Sequence, residues 1–216
     1  MQYIDLAEQT RILGQVAPTL KSLREEVESV RAGQIDKPLR DIGPIALRTQ
    51  ELALQCTQQV TLLSTSQYAA MKDGHHNLAE LVEATTLISL AATLCTFAIH
   101  HRTEVLLYEG ADETPATSRS TLAKVTEELD RAARTYGRQA HRLSHRLASF
   151  AARREDQQLI ARAVVDPGGT STPTEPQARL GDSGPSIGGA GTLQHVGTAP
   201  APSPPSHQLS APVRRR

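Results

Sequence analysis

Leu6, Leu13, Leu20 and Val27 recur every seven residues, and Val16, Leu23 and Val30 each follow one of them three positions later. That spacing forms one apolar stripe, an a/d seam, and predicts a first helix that stops near Gly33, ahead of Pro38. Gly14 and Pro18 fall inside the pattern. Proline within a helix removes a donor and crowds the preceding turn, so a bend or break is expected there. After the linker QIDKPLRDIGP, a second pattern starts near Pro44 and carries Ile45, Leu52, Cys56, Val60, Leu63 and Met71 until Gly74 closes it.

The third pattern, from His75 to about Tyr108, has no charged residue between Ala84 and Ile99. Gly110 and Pro115 mark the next turn, and Thr117 or Ser118 stands where a fourth helix would be capped. In that helix Leu122, Leu129, Tyr136, Leu143 and Phe150 again fall every seven residues. Val125, Ala132, Ala133, Ala140 and Leu147 widen the stripe. Period-two alternation is missing throughout, so no strands are expected. The fold class that follows is all-α: an antiparallel bundle of four long helices with coiled-coil character, in a domain spanning residues 1–165.

Composition changes the picture at residue 166. Of the 51 residues from Asp166 to Arg216, 33 are Pro, Gly, Ser, Thr or Ala, and none is aromatic. Such a segment buries too little apolar surface to offset its ordering entropy, so residues 166–216 read as a disordered tail, with PAPSPP (200–205) as a polyproline spacer. Formal charge is balanced, which gives no global pull toward nucleic acid or membrane. Cys56 and Cys95 sit inside apolar helical patterns, as free thiols do in a reducing compartment. The N-terminus lacks the layout of a secretory signal, so the expected location is cytoplasmic.

The uncharged run Ala84–Ile99 spans about 24 Å as a helix, short of the roughly 20 apolar residues that a bilayer needs. No membrane span is expected. Within the run Thr85, Ser89, Thr93 and Thr96 share one helical row, which His100 extends, while Leu87, Ala91, Leu94, Cys95 and Ala98 fall mostly on other sides. A helix apolar nearly all round expects burial, and its hydroxyls can bond the carbonyl four residues back. The row is therefore a candidate seam for a second subunit, together with Leu6, Leu13, Leu20 and Val27.

Candidate chemistry is mostly excluded. The pairs His75–His76 and His100–His101 lie about 37 Å apart along one helix, too far to share an ion. No histidine of the helical part has the Glu three residues before it that a di-iron bundle uses. HRLSH (141–145) has the histidine spacing of a zinc protease, but Arg142 stands where the catalytic Glu belongs. GDSGP (181–185) lacks one Gly of the serine-protease string, and IGGAGT (187–192) lacks the flanking strand and helix of a phosphate loop. No enzyme activity, small-molecule substrate, cofactor or metal is expected.

One constellation remains. Arg131, Arg134, Arg138, Arg142, Arg146, Arg153 and Arg154 lie in a stretch with no acidic residue, and four of them form an i, i+4 ladder. Such a face can bind phosphates of nucleic acid without sequence preference, or it can be neutralised by acids such as Glu25, Glu26 and Glu28. Two readings result. The first is a non-catalytic interaction protein whose partner is itself, as a dimer, or another helical protein. The second is a nucleic-acid binder acting through the arginine face.

Overall fold

The structure, a computed structural model, describes residues 1–108 and 116–165. The turn expected at Gly110 and Pro115 and the tail expected from residue 166 lie outside these residues. Asp5 starts the first helix by accepting hydrogen bonds from the backbone N–H groups of Ala7 (2.9 Å) and Glu8 (3.3 Å), two donors that a helix start leaves open. From there α1 runs Leu6–Ala32 without interruption, with Pro18 inside it. The expected break is absent, and the reason is position. Gly14 and Pro18 both lie on the exposed side, where water can satisfy the Gly14 carbonyl that loses its proline donor.

The stretch expected as a linker winds into a short helix, α2 (Pro38–Asp41), before α3 (Gly43–Thr65). α3 ends earlier than its pattern suggests. A 3-10 turn, Gln67–Ala70, follows, and Met71 is buried in the connection rather than on the helix. Gly74 does not close the second helix; it opens α4 (Gly74–Tyr108). A Cβ there would collide with the Tyr68 carbonyl oxygen and lie 2.6 Å from that of Ala69, so only glycine fits. α5 (Ala116–Ala148) passes straight through Gly137.

The chain then turns at Ser149 into α6 (Phe150–Val165). Arg146 reaches Asp156 at 2.6 and 3.1 Å, although ten residues of straight helix would separate them by about 15 Å. Asp156 is buried and also accepts the Lys72 backbone N–H at 3.1 Å, so it latches α5, α6 and the 3-10 turn region together. The turn removes Phe150 from the seam it was expected to extend. That ring is 74% exposed.

The molecule is a helical bundle with no strand among the described residues. Gln2 pairs with the end of α3 through its own N–H to the Thr65 carbonyl (3.0 Å) and its carbonyl to the Gln67 N–H (3.1 Å). α5 packs on α1 and on α4, α4 packs on α3, and α1 and α3 meet only lightly, bridged by Arg48 and Glu26. Arg24 of α1 pairs with Asp130 at 3.4 Å while Ala17 faces Gly137, so α1 and α5 run in opposite directions. Leu13, Leu20, Leu63, Leu81, Ile88 and Leu129 are fully buried in the shared core.

Among the polar side chains buried in that core, Tyr136 and Arg102 tie the helices together. Tyr136 of α5 is fully buried, with its hydroxyl 2.9 Å from the Thr85 hydroxyl of α4 and within hydrogen-bonding reach of Cys56 on α3. Burial pushes its phenol well above the ordinary range, so it stays neutral as a donor to three-helix packing. Arg102 near the end of α4 is also fully buried and donates from Nε to the Ile35 carbonyl at 2.7 Å, tying α4 to the connection after α1.

Candidate functional site

α4 owes its length to an uninterrupted run of helix formers and β-branched residues after Gly74, and to the absence of proline. Its inner side carries Leu81, Ile88, Ala91, Cys95 and Ala98, all buried. The outer side is where a charged surface would ordinarily stand. Instead Val82 is 52% exposed, Leu90 43% and Phe97 51%, with Thr86, Ser89, Thr93 and Thr96 exposed among them. From Ala84 to Ile99 neither side of the helix has a charge.

The predicted hydroxyl row is thereby divided. Thr85 is buried and serves the core, while Ser89, Thr93 and Thr96 face outward. Each returns its hydrogen bond to a carbonyl four residues back: Thr85 to Leu81 (2.9 Å), Ser89 to Thr85 (3.1 Å), Thr93 to Ser89 (3.0 Å) and Thr96 to Ala92 (3.2 Å). A hydroxyl already bonded to its own helix presents little but a methyl or methylene to a neighbour. The outer side of α4 is thus more apolar than its composition implies.

α3 continues this surface. Leu47 and Leu54 are 62% and 60% exposed, and a groove of about 390 Å³ runs between the two helices. Thr57, Val60 and Thr61 line it from α3, and Val82, Thr86 and Ser89 from α4. None of these is charged. Val82, Leu90 and Phe97 were not singled out in the sequence, although their spacing of eight and seven residues places them on one side of a helix.

The apolar row of α1 has the opposite fate. Leu13, Leu20 and Val27 are fully buried inside the chain, and Leu6 is half-buried. Of the two candidate seams, only the one on α4 has side chains left at the surface.

The arginine ladder also divides. Arg131 pairs with Glu128 at 3.0 Å, Arg142 with Glu80 at 3.1 Å, and Arg146 with Asp156 and Glu155 at 2.6 and 3.3 Å. The neutralising acids come from α4, α5 and α6, not from Glu25, Glu26 and Glu28 of α1. Two of those are engaged elsewhere, Glu26 with Arg48 and Glu28 with Arg31. Arg134, Arg138, Arg153 and Arg154 are exposed and meet no carboxylate among the described residues; Arg138 donates to the Thr135 hydroxyl at 3.1 Å. Partial burial pushes Glu80 upward, but the Gln139 hydrogen bond at 2.6 Å and the charge of Arg142 outweigh it, and its carboxyl lies below the usual range.

The histidine pairs sit at separate places on α4, where His76 pairs with Glu80 at 3.1 Å and His100 with Glu104 at 3.5 Å. Among the described residues no three His, Cys, Asp or Glu side chains are grouped so as to hold a metal. Cys56 and Cys95 are free and buried; burial pushes the Cys95 thiol up to about 12. By length and composition α4 is the one helix among the described residues that reaches the range of a membrane span, with a window of mean hydropathy 1.7. Its buried Arg102 and the Glu80–Arg142 pair belong to packing against the other helices. Set against family models, curated proteins and solved structures, the chain matches none of them.

Proposed function

We propose that this protein is a non-catalytic helical interaction protein that associates with a second copy of itself through the outer side of α3 and α4. In this reading α1, α3, α4 and α5 form an antiparallel four-helix bundle with coiled-coil character, and the α3–α4 side is its open flank. The observation that carries it is the uncharged, solvent-facing half of α4 around Leu90 and Phe97. A contiguous apolar patch of this kind on a monomer marks an interaction site. A second copy fits because the patch offers neither charge nor a deep pocket: it can be covered only by a surface of the same character, and an isologous dimer supplies one.

The test is the mass in solution of the full chain by light scattering across a concentration series. A dimer is expected, with Leu90→Glu and Phe97→Glu together returning it to a monomer while helicity by circular dichroism stays unchanged. A monomer at all concentrations, or a dimer indifferent to both substitutions, would overturn the proposal.

A second reading keeps one specific observation in its favour, the four exposed arginines that meet no carboxylate among the described residues. In it Arg134, Arg138, Arg153 and Arg154 contact phosphates of nucleic acid without sequence preference, and Arg131, Arg142 and Arg146 are structural. Replacing the first four by Gln would then remove salt-sensitive retention of DNA. Unchanged retention would eliminate this reading.

A further inference from the structure

Away from the α3–α4 side, a cleft of about 630 Å³ opens between the start of α4 and the last turns of α5. One wall is Lys72, Asp73, His76 and Asn77. Its backbone is fixed tightly. Asp73 has a left-handed φ of 59°, Gly74 admits no side chain, and the Lys72 N–H is held by Asp156. The other wall is His141, Arg142, His145 and Arg146, two adjacent pairs one helical turn apart and so on the same side of α5.

The basic groups are held by carboxylates that leave donors free. Arg142 engages Glu80 and Asn77 through Nη1 alone, at 3.1 and 3.5 Å, so its Nη2 and Nε remain available. Arg146 uses Nε and Nη2, leaving Nη1. The Lys72 ammonium, 3.1 Å from Glu155, has further protons to give. Among the described residues His76 is bonded through Nε2 to Glu80, and the rings of His141 and His145, both exposed, meet no hydrogen-bond partner. The Nε–Nη2 edge of Arg142 is a free fork that matches the oxygens of a phosphoryl group, and Arg146 Nη1 and the Lys72 ammonium add single donors.

Charge decides when such a ligand is welcome. The fixed cations Lys72, Arg142 and Arg146 face the carboxylates Asp73, Glu80, Glu155 and Asp156, an excess of one negative charge while the histidines are neutral. Protonation of His76, His141 and His145 reverses it to two positive charges. Tyr68, beneath Asn77, takes no part, because burial pushes its phenol up to about 12. We propose that this cleft is a proton-gated binding site for a phosphate-class oxyanion, filled when the three histidines are protonated and emptied when they are not. A metal ion is the wrong ligand for it, since three fixed cations line the space and, among the described residues, no three His, Cys, Asp or Glu side chains are grouped to hold one.

Sulfate is the first probe, because it remains a dianion across the range in which histidine titrates, so any pH effect belongs to the protein. Calorimetry on the full chain should give saturable one-site binding at about pH 6, weaker by about tenfold or more at about pH 8. His141→Gln with His145→Gln should remove most of the gain in affinity at the acidic pH, leaving only the part that His76 supplies. Arg142→Gln should weaken binding at both, and Arg40→Gln, on α2 outside the cleft, should change nothing. The two histidines are exposed, and circular dichroism verifies the fold of each variant. Absence of saturable binding at the acidic pH, equal affinity at the two pH values, or indifference to the double substitution would each overturn the proposal. Inorganic phosphate and vesicles bearing phosphatidic acid then separate the sources. Displacement of sulfate by free phosphate alone assigns a soluble phosphate ester, displacement by the vesicles assigns a lipid headgroup, and displacement by neither rejects the site.

Discussion

α4 and α5 are of similar length and pack against each other, yet they treat solvent in opposite ways. α5 is conventional: Leu122, Leu129, Tyr136 and Leu143 are buried, and the far side carries arginines, histidines and lysine. Between Ala84 and Ile99, α4 is mostly apolar on the buried side and uncharged on the exposed one. The buried sides of the two helices teach the same thing about the core. Only the exposed sides differ. In the proposed reading the uncharged outer stretch of α4 is covered by a second copy, whereas the charged outer side of α5 stays hydrated.

The comparison is broken most directly by paired leucine substitutions. Leu129→Ala empties a fully buried position and should cost about 3–5 kcal/mol in urea denaturation. Leu90→Ala, measured at a dilution where the protein is monomeric, should stay within about 0.5 kcal/mol. Equal costs would mean that the outer side of α4 is buried within the folded chain and that the contrast with α5 is false.

The end of α5 offers the next largest effect. Asp156→Ala leaves Arg146 without its main partner and the Lys72 N–H without an acceptor, and should destabilise by about 3 kcal/mol. Arg134→Ala, one of the unpaired arginines, should be near neutral on the same helix. A near-neutral Asp156→Ala would show that α6 is not latched. Tyr136→Phe, where α3, α4 and α5 meet, removes one hydroxyl bond and should cost about 1 kcal/mol by thermal melting.

The smallest effect is in acid. Glu155 is held below the usual carboxylate range by its hydrogen bond to Lys72 and by Arg146, and Glu80 by Gln139 and Arg142 against partial burial. A lowered carboxyl contributes stability that is present above its unfolded pKa, about 4.3, and is lost as pH falls through the lowered folded value. Denaturation midpoints should therefore drop modestly between about pH 5 and pH 3, and less so in Glu80→Gln. A midpoint that rises in acid would contradict the assigned pairs.

The heptad of α1 was legible because burial by a single neighbour needs only one periodic stripe, and Leu13, Leu20 and Val27 all reach the core. The helix ends were less so. Pro18 is tolerated because the Gly14 carbonyl, which loses its donor, lies on the exposed side of the helix. The turn at Ser149 was hidden because Phe150 continues a seven-residue spacing that local sequence cannot distinguish from a longer helix. The cationic stretch was legible as charge, but its division into paired and unpaired arginines was not, since the pairing acids Glu80 and Asp156 are remote in the chain or lie beyond a bend.

By itself the sequence determined the all-α class, the main helices and the uncharged stretch Ala84–Ile99 of α4, because hydrophobic period and charge are properties of a segment. Tertiary structure decided which apolar rows are consumed and which remain at the surface. It also decided which histidines and arginines share a cleft, and that Asp156, Arg102 and Tyr136 are buried. The physical reason is that burial and ion pairing depend on what lies across the gap, and across these gaps stand residues tens of positions away.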